Sequence, residues 1–196
     1  VTVYMTRNDN TSPNTNREQR AKFAAEKGAN VLVSIHINSN GKGYTSAHGA
    51  EVYYPNSNYN PTVSGQGQNL SAVILKQLTA LGLADRGIKI RNSEDGETYP
   101  DGSLADYLGI NKYAKLYGYP GILIEHAYAN NVSDAANYLT TDAQLQRLGV
   151  ADATGIAQYF GLQKKKNVSL YGICKQETVE GILAALSYST DDSNIK

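Results

Sequence analysis

The sequence predicts an α/β protein in three layers, with a twisted, mostly parallel β-sheet and helices on both faces. Strand-like and helix-like segments alternate along the chain, as they do in βαβ units. Two strand-like segments, residues 31–38 and 121–127, are nearly continuous apolar runs rather than alternating ones. Such runs are typical of strands covered on both faces. Residues 64–81 predict an amphipathic helix, because apolar side chains recur there every three or four positions.

The remaining elements follow in chain order. Residues 1–5 have the composition of a strand, residues 17–27 predict a helix, and residues 50–54 predict a further strand. A last helix is expected over residues 142–160, with Asp142 as its cap. Because a domain rarely begins inside a strand, we expect that part of this domain lies upstream of the given sequence.

The domain organisation is one α/β domain followed by a short extension. We expect the domain to span residues 1–163 and to be incomplete at its N-terminal end. The lysines at 164–166 begin residues 164–196, which we interpret as a linker plus a tail or the start of a further module. Roughly 30 residues are too few for an independent core.

Composition excludes several classes of protein. The 196 residues carry 18 Lys and Arg against 18 Asp and Glu, and this balance argues against nucleic acid as a partner. No apolar run approaches the ~20 residues that span a bilayer, so we expect no membrane insertion. The one cysteine, Cys174, cannot form a disulfide within the chain and has no convincing histidine partner for thiol chemistry.

Ionisable side chains lie near the carboxyl ends of the two buried strands, where open α/β sheets bind their ligands. Side-chain alternation places Ser34, His36 and Asn38 on one face of the first strand. In the second strand, Glu125 and His126 point to opposite faces. A buried carboxylate is costly unless it meets a metal, a cation or several donors. We therefore pair Glu125 with His36, the minimum for metal-assisted hydrolysis.

Structural roles for these residues remain open at this stage. A single histidine such as His36 is often a hydrogen-bonded structural residue. Glu125 could instead form a salt bridge with Arg7 or Arg91. His126 is better explained by packing than by catalysis.

Three segments carry motifs in a fixed order: S-I-H-I-N-S at 34–39, H-G-A-E-V-Y-Y at 48–54 and I-L-I-E-H-A-Y-A-N-N at 122–131. Together they resemble the zinc-dependent N-acetylmuramoyl-L-alanine amidases, which cut bacterial peptidoglycan. The resemblance covers about residues 1–163. Several ordered motifs at the right relative spacing make it more specific than either strand motif alone.

The resemblance implies a fold, a cofactor and a reaction. The fold is a twisted sheet flanked by helices, and Zn²⁺ is held by two His and one Glu. The bond cut joins N-acetylmuramic acid to L-alanine. His36 matches the second His ligand, and Glu125 matches the catalytic Glu. The first His and the Glu ligand have no counterpart here, so we expect this chain as given to be metal-poor and inactive unless the missing segment is present elsewhere. We expect its parent protein to be an active amidase.

Peptidoglycan is the partner that the resemblance implies, which places the protein outside the cell or in the cell wall, by secretion or phage-mediated release. We predict Asn38, His48 and Arg91 as substrate-binding residues. Arg91 belongs to the polar segment 87–102, which would border the substrate groove. Two alternatives are a peptidoglycan-binding or regulatory module that lacks the metal, and a related zinc peptidase acting on the stem peptide.

Overall fold

The structure is a computed structural model that describes residues 1–7, 9, 11–13, 15–41, 43–164 and 188–189. Cys174 and nearly all of the predicted linker and tail lie outside the described residues. Within them, Gln163–Lys164 (β5) pairs antiparallel with Tyr188–Ser189 (β6). The division into residues 1–163 and 164–196 therefore stays a prediction.

The central sheet contains four strands in the order β1-β4-β2-β3. They are β1 (Leu32–Asn38), β2 (Ala50–Tyr53), β3 (Asp85–Lys89) and β4 (Gly121–Tyr128). β1 runs parallel to β4 and β2 runs parallel to β3, whereas β2 and β4 are antiparallel. Two of the three pairings are parallel, so the prediction of a mostly parallel sheet is confirmed. β3 was not predicted, because the start of this strand is polar and contains a glycine.

The helices include four regular ones and one short turn. They are α1 (Arg17–Glu26), α2 (Pro61–Thr79), α3 (Gly109–Leu116), α4 (Val132–Asp134), which continues into the π-helical turn Ala135–Leu139, and α5 (Asp142–Tyr159). The predicted cap of α5 is one residue off. Thr141 caps the helix, because its side chain accepts a hydrogen bond from the backbone N–H of Gln144. The Gln144 side chain accepts one from the backbone N–H of Thr141 in return. In the described part of the chain, no helix has the length and hydropathy of a membrane span.

Helices cover both faces of the sheet, as predicted. α2 and α5 pack on one face, and the core there consists of apolar side chains from both helices and from the strands: Val52, Leu70, Ile74, Leu78, Ile122, Ile124, Leu148 and Ile156. α1 and α3 pack on the other face, where Ala24, Ala114 and Tyr119 form a second buried cluster against which Leu32 packs. Because side chains alternate along β1, Ser34 and His36 share the α1–α3 face with Leu32.

Two predictions about strands are wrong. Residues 1–5 form no strand; they lie across a cavity of about 560 Å³ from β1 and make no backbone pairing with it. Residues 31–38 are not covered on both faces, since Ile35 is 43% and Ile37 44% exposed. Because residues 1–5 do not pair with it, β1 is an edge strand, paired only with β4 among the described residues. Strand composition alone supplies neither a partner nor a cover.

Gly155 lets α5 approach α2 closely. A Cβ atom at this position would lie 2.7 Å from Ile74 Cα and 2.9 Å from Ile74 Cγ1. We expect Gly155→Ala to lower the free energy of unfolding by about 1–3 kcal/mol, because overpacking outweighs the gain in helix propensity. Urea denaturation measures this change. The matched control is Gly65→Ala in α2, where a Cβ meets nothing within 4 Å and should stabilise by about 0.5–1 kcal/mol. Equal effects at the two sites would contradict the packing argument.

Candidate active site

Three neighbouring strands place ionisable side chains in one row across the α1–α3 face. His36 on β1 pairs in register with Glu125 on β4, and Glu125 pairs in register with Glu51 on β2. Residues in register on adjacent strands point to the same face, about 4.8 Å apart. α1 and α3 cover the beginnings of β1 and β4, so the row lies towards the carboxyl ends of those two strands. The fold therefore brings His36 and Glu125 together, as alternation predicts.

Glu125 is partly buried, and its Oε2 atom is buried without a hydrogen-bond partner in the described part of the chain. Burial and then the negative charge of Glu51 raise the pKa of Glu125 to about 7. A carboxyl group in this state is present in both protonation forms near neutral pH. It can therefore take a proton from water and return it to a leaving group.

His36 lies at the end of the row that faces solvent. Its Nε2 atom lies 2.9 Å from the Ser34 hydroxyl oxygen. Loss of part of its hydration against the surrounding protein, followed by the positive charges of Arg20 and Arg17, lowers the pKa of His36. The imidazole is therefore neutral at pH 7, which is the form that accepts a hydrogen bond or binds a metal.

Glu51 is 4% exposed and accepts four hydrogen bonds. Its Oε1 atom accepts from Asn38 at 3.2 Å and from the Tyr53 hydroxyl at 2.9 Å. Its Oε2 atom accepts from Arg86 Nε at 2.9 Å and from Lys89 Nζ at 2.5 Å. Burial alone would raise the pKa of Glu51, but Lys89, Arg86 and Tyr53 outweigh burial and lower it. Glu51 thus stays ionised beside Glu125.

His126 points to the opposite face of β4 from Glu125, as alternation predicts. It is 2% exposed; its Nδ1 lies 3.0 Å from the His36 carbonyl oxygen, and its Nε2 lies 2.8 Å from Asp152 Oδ2 on α5. Burial by itself would lower the pKa of His126, but Asp152 outweighs burial and raises it. This histidine ties the edge strand β1 to α5.

Two of the predicted substrate-binding residues differ in their surroundings. Asn38 belongs to the polar row, because its amide donates to Glu51. His48 is exposed in the loop before β2, with its Nδ1 3.0 Å from the Ser46 carbonyl oxygen. Its contact is local to that loop. The substrate-binding role of each residue stays a prediction.

Arg91, the third predicted substrate-binding residue, lies just after β3. It donates to Glu94 at 2.6 Å, and its guanidinium stacks 3.7 Å from the centre of the Tyr107 ring. The alternative salt bridge between Glu125 and Arg91 is therefore wrong. Arg7 does not fill that role either, since in the described residues Glu125 Oε2 has no hydrogen-bond partner and Arg7 is not among the charges that shift the pKa of Glu125. The role of Arg91 in substrate binding stays a prediction.

The donor set at this site does not fit a zinc ion. In the described residues, no group of three or more His, Cys, Asp or Glu side chains could hold a metal. The row offers one neutral imidazole, His36, and one partly protonated carboxyl, Glu125, whereas Glu51 is already used by four donors. Catalytic zinc sites have about three protein ligands.

Sequence reasoning missed Glu51, Tyr53, Arg86 and Lys89. The signal available was Glu51 itself, a carboxylate at an inward-facing position of a short apolar strand. Arg86 and Lys89 carried no such signal, because β3 was not predicted and their common partner lies on another strand.

Comparison with known proteins identifies the family. The family model Amidase_3, described as N-acetylmuramoyl-L-alanine amidase, matches residues 1–158. The chain belongs to this family. Among amidases of Bacillus subtilis (strain 168), it is 28% identical over 155 residues to the sporulation-specific N-acetylmuramoyl-L-alanine amidase, covering 79% of this chain and 49% of that protein. It is 32% identical over 120 residues to the amidase LytC, covering 61% of this chain and 19% of that protein. The chain thus spans about half or less of the length of these relatives.

Solved structures agree with the amidase family. Cwp6 from Clostridium difficile superposes with a TM-score of 0.64 at 28% identity, covering 81% of this chain and 22% of that chain. The catalytic domain of the amidase CwlV from Bacillus (Paenibacillus) polymyxa var. colistinus superposes with a TM-score of 0.59 at 28% identity, covering 82% and 73% of the two chains. The predicted α/β fold and the predicted family are both confirmed.

Proposed function

We propose that this domain hydrolyses the amide bond between N-acetylmuramic acid and L-alanine in bacterial peptidoglycan. The observation that carries the proposal is the Glu125 carboxyl group, which has a buried oxygen without a hydrogen-bond partner in the described residues and is in register with His36 in a chain of the amidase family. Peptidoglycan lies outside the cytoplasmic membrane, so the proposed site of action is the cell wall.

The proposed role of Glu125 is proton transfer. As a carboxylate it takes a proton from a water molecule, whose oxygen attacks the lactyl carbonyl carbon. As a carboxylic acid it then returns a proton to the leaving nitrogen, and the C–N bond breaks. The products are the carboxyl group of N-acetylmuramic acid and the free amine of L-alanine. The pKa of about 7 suits both directions of this transfer.

Zinc enters this proposal only as a cofactor that the family resemblance implies. When bound in such enzymes it polarises the carbonyl and activates the water. His36 is the zinc ligand that we predicted in this chain, and the described residues do not complete a set of three. No step above therefore passes through a metal.

The experiment is cleavage of purified muropeptides by the full chain, with and without added Zn²⁺, followed by mass spectrometry. We expect free stem peptides that begin with L-alanine, a result that would contradict the expectation, drawn from the resemblance, that the chain as given is inactive. Replacing the Glu125 carboxyl group in Glu125→Gln should reduce their rate of release at least about 100-fold, the low end of general acid–base effects. Glu26→Gln, an exposed change on α1, is the control. Equal rates in wild type and Glu125→Gln would contradict the assignment of Glu125.

A second candidate is a peptidoglycan-binding module without hydrolysis, favoured by the two metal ligands that are missing from the described residues. It predicts binding to insoluble peptidoglycan with no release of stem peptides under either metal condition. A stem-peptide peptidase would instead release fragments that leave L-alanine attached to N-acetylmuramic acid. The masses of the products separate all three cases.

A further inference from the structure

Arg86 and Lys89 reach the same carboxylate although they lie three positions apart on one strand. In a regular strand such residues point to opposite faces. The β2–β3 pairing changes register here: Ala50 pairs with Asp85, whereas Val52 pairs with Ile88. Two residues of β3, Arg86 and Gly87, thus oppose the single residue Glu51. Gly87 has φ of +86°, which glycine adopts without strain.

This irregularity is a β-bulge, and bulges next to active sites redirect side chains. Its effect is to bring two cations onto the face that carries His36 and Glu125. The Arg86 guanidinium is further fixed by the Tyr128 ring, whose centre lies 5.0 Å away. Both cations therefore have defined positions.

The two cations are not fully used by the protein. In the described residues, Glu51 takes one of the five guanidinium donors of Arg86 and one of the three ammonium donors of Lys89. The two side chains are 30% and 35% exposed, whereas the Glu51 side chain is 5% exposed. Two positive charges against one negative charge leave a local surplus of one. Glu51 thus acts as a buried anchor, and the outer donors face solvent.

The distance between Glu125 and the two cationic groups matches the spacing of two groups in the proposed substrate. The cationic heads lie at Glu51, one strand from Glu125, so the separation is about 5–10 Å for one to two strand spacings. In the stem peptide, the residue after L-alanine is a γ-linked D-glutamate with a free α-carboxylate. Two extended residues span about 7 Å, so this carboxylate reaches the cations when the scissile amide lies at Glu125.

We propose that Arg86 and Lys89, aligned by the bulge and anchored by Glu51, form a subsite for the α-carboxylate of the second stem-peptide residue. This inference rests on the proposed function for its choice of substrate. The subsite would select stem peptides with a free carboxylate over those with a carboxamide. A guanidinium and an ammonium group can donate to either, but only the carboxylate adds the attraction of opposite charges to those hydrogen bonds.

The test is binding rather than cleavage, so that it is separate from the test of the reaction. N-acetylmuramyl-L-alanyl-D-glutamate and its carboxamide, N-acetylmuramyl-L-alanyl-D-isoglutamine, are titrated by calorimetry into the full chain carrying Glu125→Gln, which prevents turnover. We expect the acid to bind about tenfold more tightly than the amide, as charge-assisted hydrogen bonds imply.

Arg86→Gln and Lys89→Met should each reduce this ratio to about twofold, because each removes one charged partner. Lys89→Arg and the exposed control Lys22→Met should keep it. Three results would overturn the subsite. They are equal affinity for the two probes in the Glu125→Gln chain, an unchanged affinity ratio in both charge-removing variants, and no binding of either probe at millimolar concentration. Selective binding without cleavage of muropeptides by the wild-type chain would overturn the proposed reaction and leave the subsite intact.

Discussion

Replacing Lys115 by methionine should lower the free energy of unfolding by about 3–5 kcal/mol, the range for breaking a buried ion pair. Lys115 lies on α3 and is 0% exposed. Its ammonium group donates to Asp106 at 2.8 Å and to the backbone and side-chain oxygens of Asn56 at 2.9 and 2.6 Å. All three donors are satisfied, and the Tyr99 ring lies 4.3 Å away. Methionine fills much of the space but leaves the 1% exposed Asp106 carboxyl group without its cation.

Urea denaturation at pH 7 measures this loss, and a double-mutant cycle tests its cause. If the cost comes from the uncompensated charge of Asp106, Asp106→Asn should recover about 1–2 kcal/mol in the Lys115→Met background. Lys22→Met removes an exposed lysine whose side chain is 63% accessible and should change stability by less than about 0.5 kcal/mol. A loss below about 1 kcal/mol for Lys115→Met would show that the pair contributes little.

Glu125→Gln should have the opposite effect on stability: it should stabilise the protein by about 3 kcal/mol at pH 8 while reducing cleavage at least about 100-fold. The fold raises the pKa of Glu125 from 4.5 to about 7, first through burial and then through Glu51. The folded state therefore holds this proton more tightly than the unfolded state does. Between pH 4.5 and 7 the folded state binds more protons, so stability falls as the pH rises through this window.

Glutamine stays neutral at every pH, so the stabilisation should be small at pH 4 and should reach its plateau above pH 7. Urea denaturation of wild type and variant at pH 4, 5.5, 7 and 8 gives this difference directly. Glu26→Gln on the exposed surface of α1 should show no such trend. A constant difference from pH 4 to pH 8 would mean that the carboxyl group is not held in its neutral form by the fold.

The two predictions describe different uses of buried charge. The charges of Lys115 and Asp106 compensate each other. Together with Asn56, they connect α3 to the segment before it and to the loop between β2 and α2. Glu125 is uncompensated, because its nearest charged neighbour along the row is Glu51, which has the same sign. A carboxyl group whose ionised form is disfavoured by its surroundings is typical of a functional site.

The sequence by itself determined the fold class, the family and the pairing of His36 with Glu125. The family follows from the resemblance that the three ordered motifs carry. The fold class and the faces of the side chains depend on local periodicity: apolar runs predict the central strands, and two-residue alternation assigns each side chain to a face. Helix faces follow from the 3.6-residue repeat in the same way. The motif at 34–39 places the imidazole of His36 near the carboxyl end of its strand.

Only the tertiary structure decided which strands are neighbours and which edges stay free. Among the described residues, residues 1–5 have strand composition without a strand partner, and β1 is an edge strand despite its apolar sequence. The cluster around Glu51 assembles from β1, β2 and β3, whose residues are up to 51 positions apart between Asn38 and Lys89. Whether a charge is buried, paired or left free depends on such cross-strand contacts, and no local pattern in the chain encodes them.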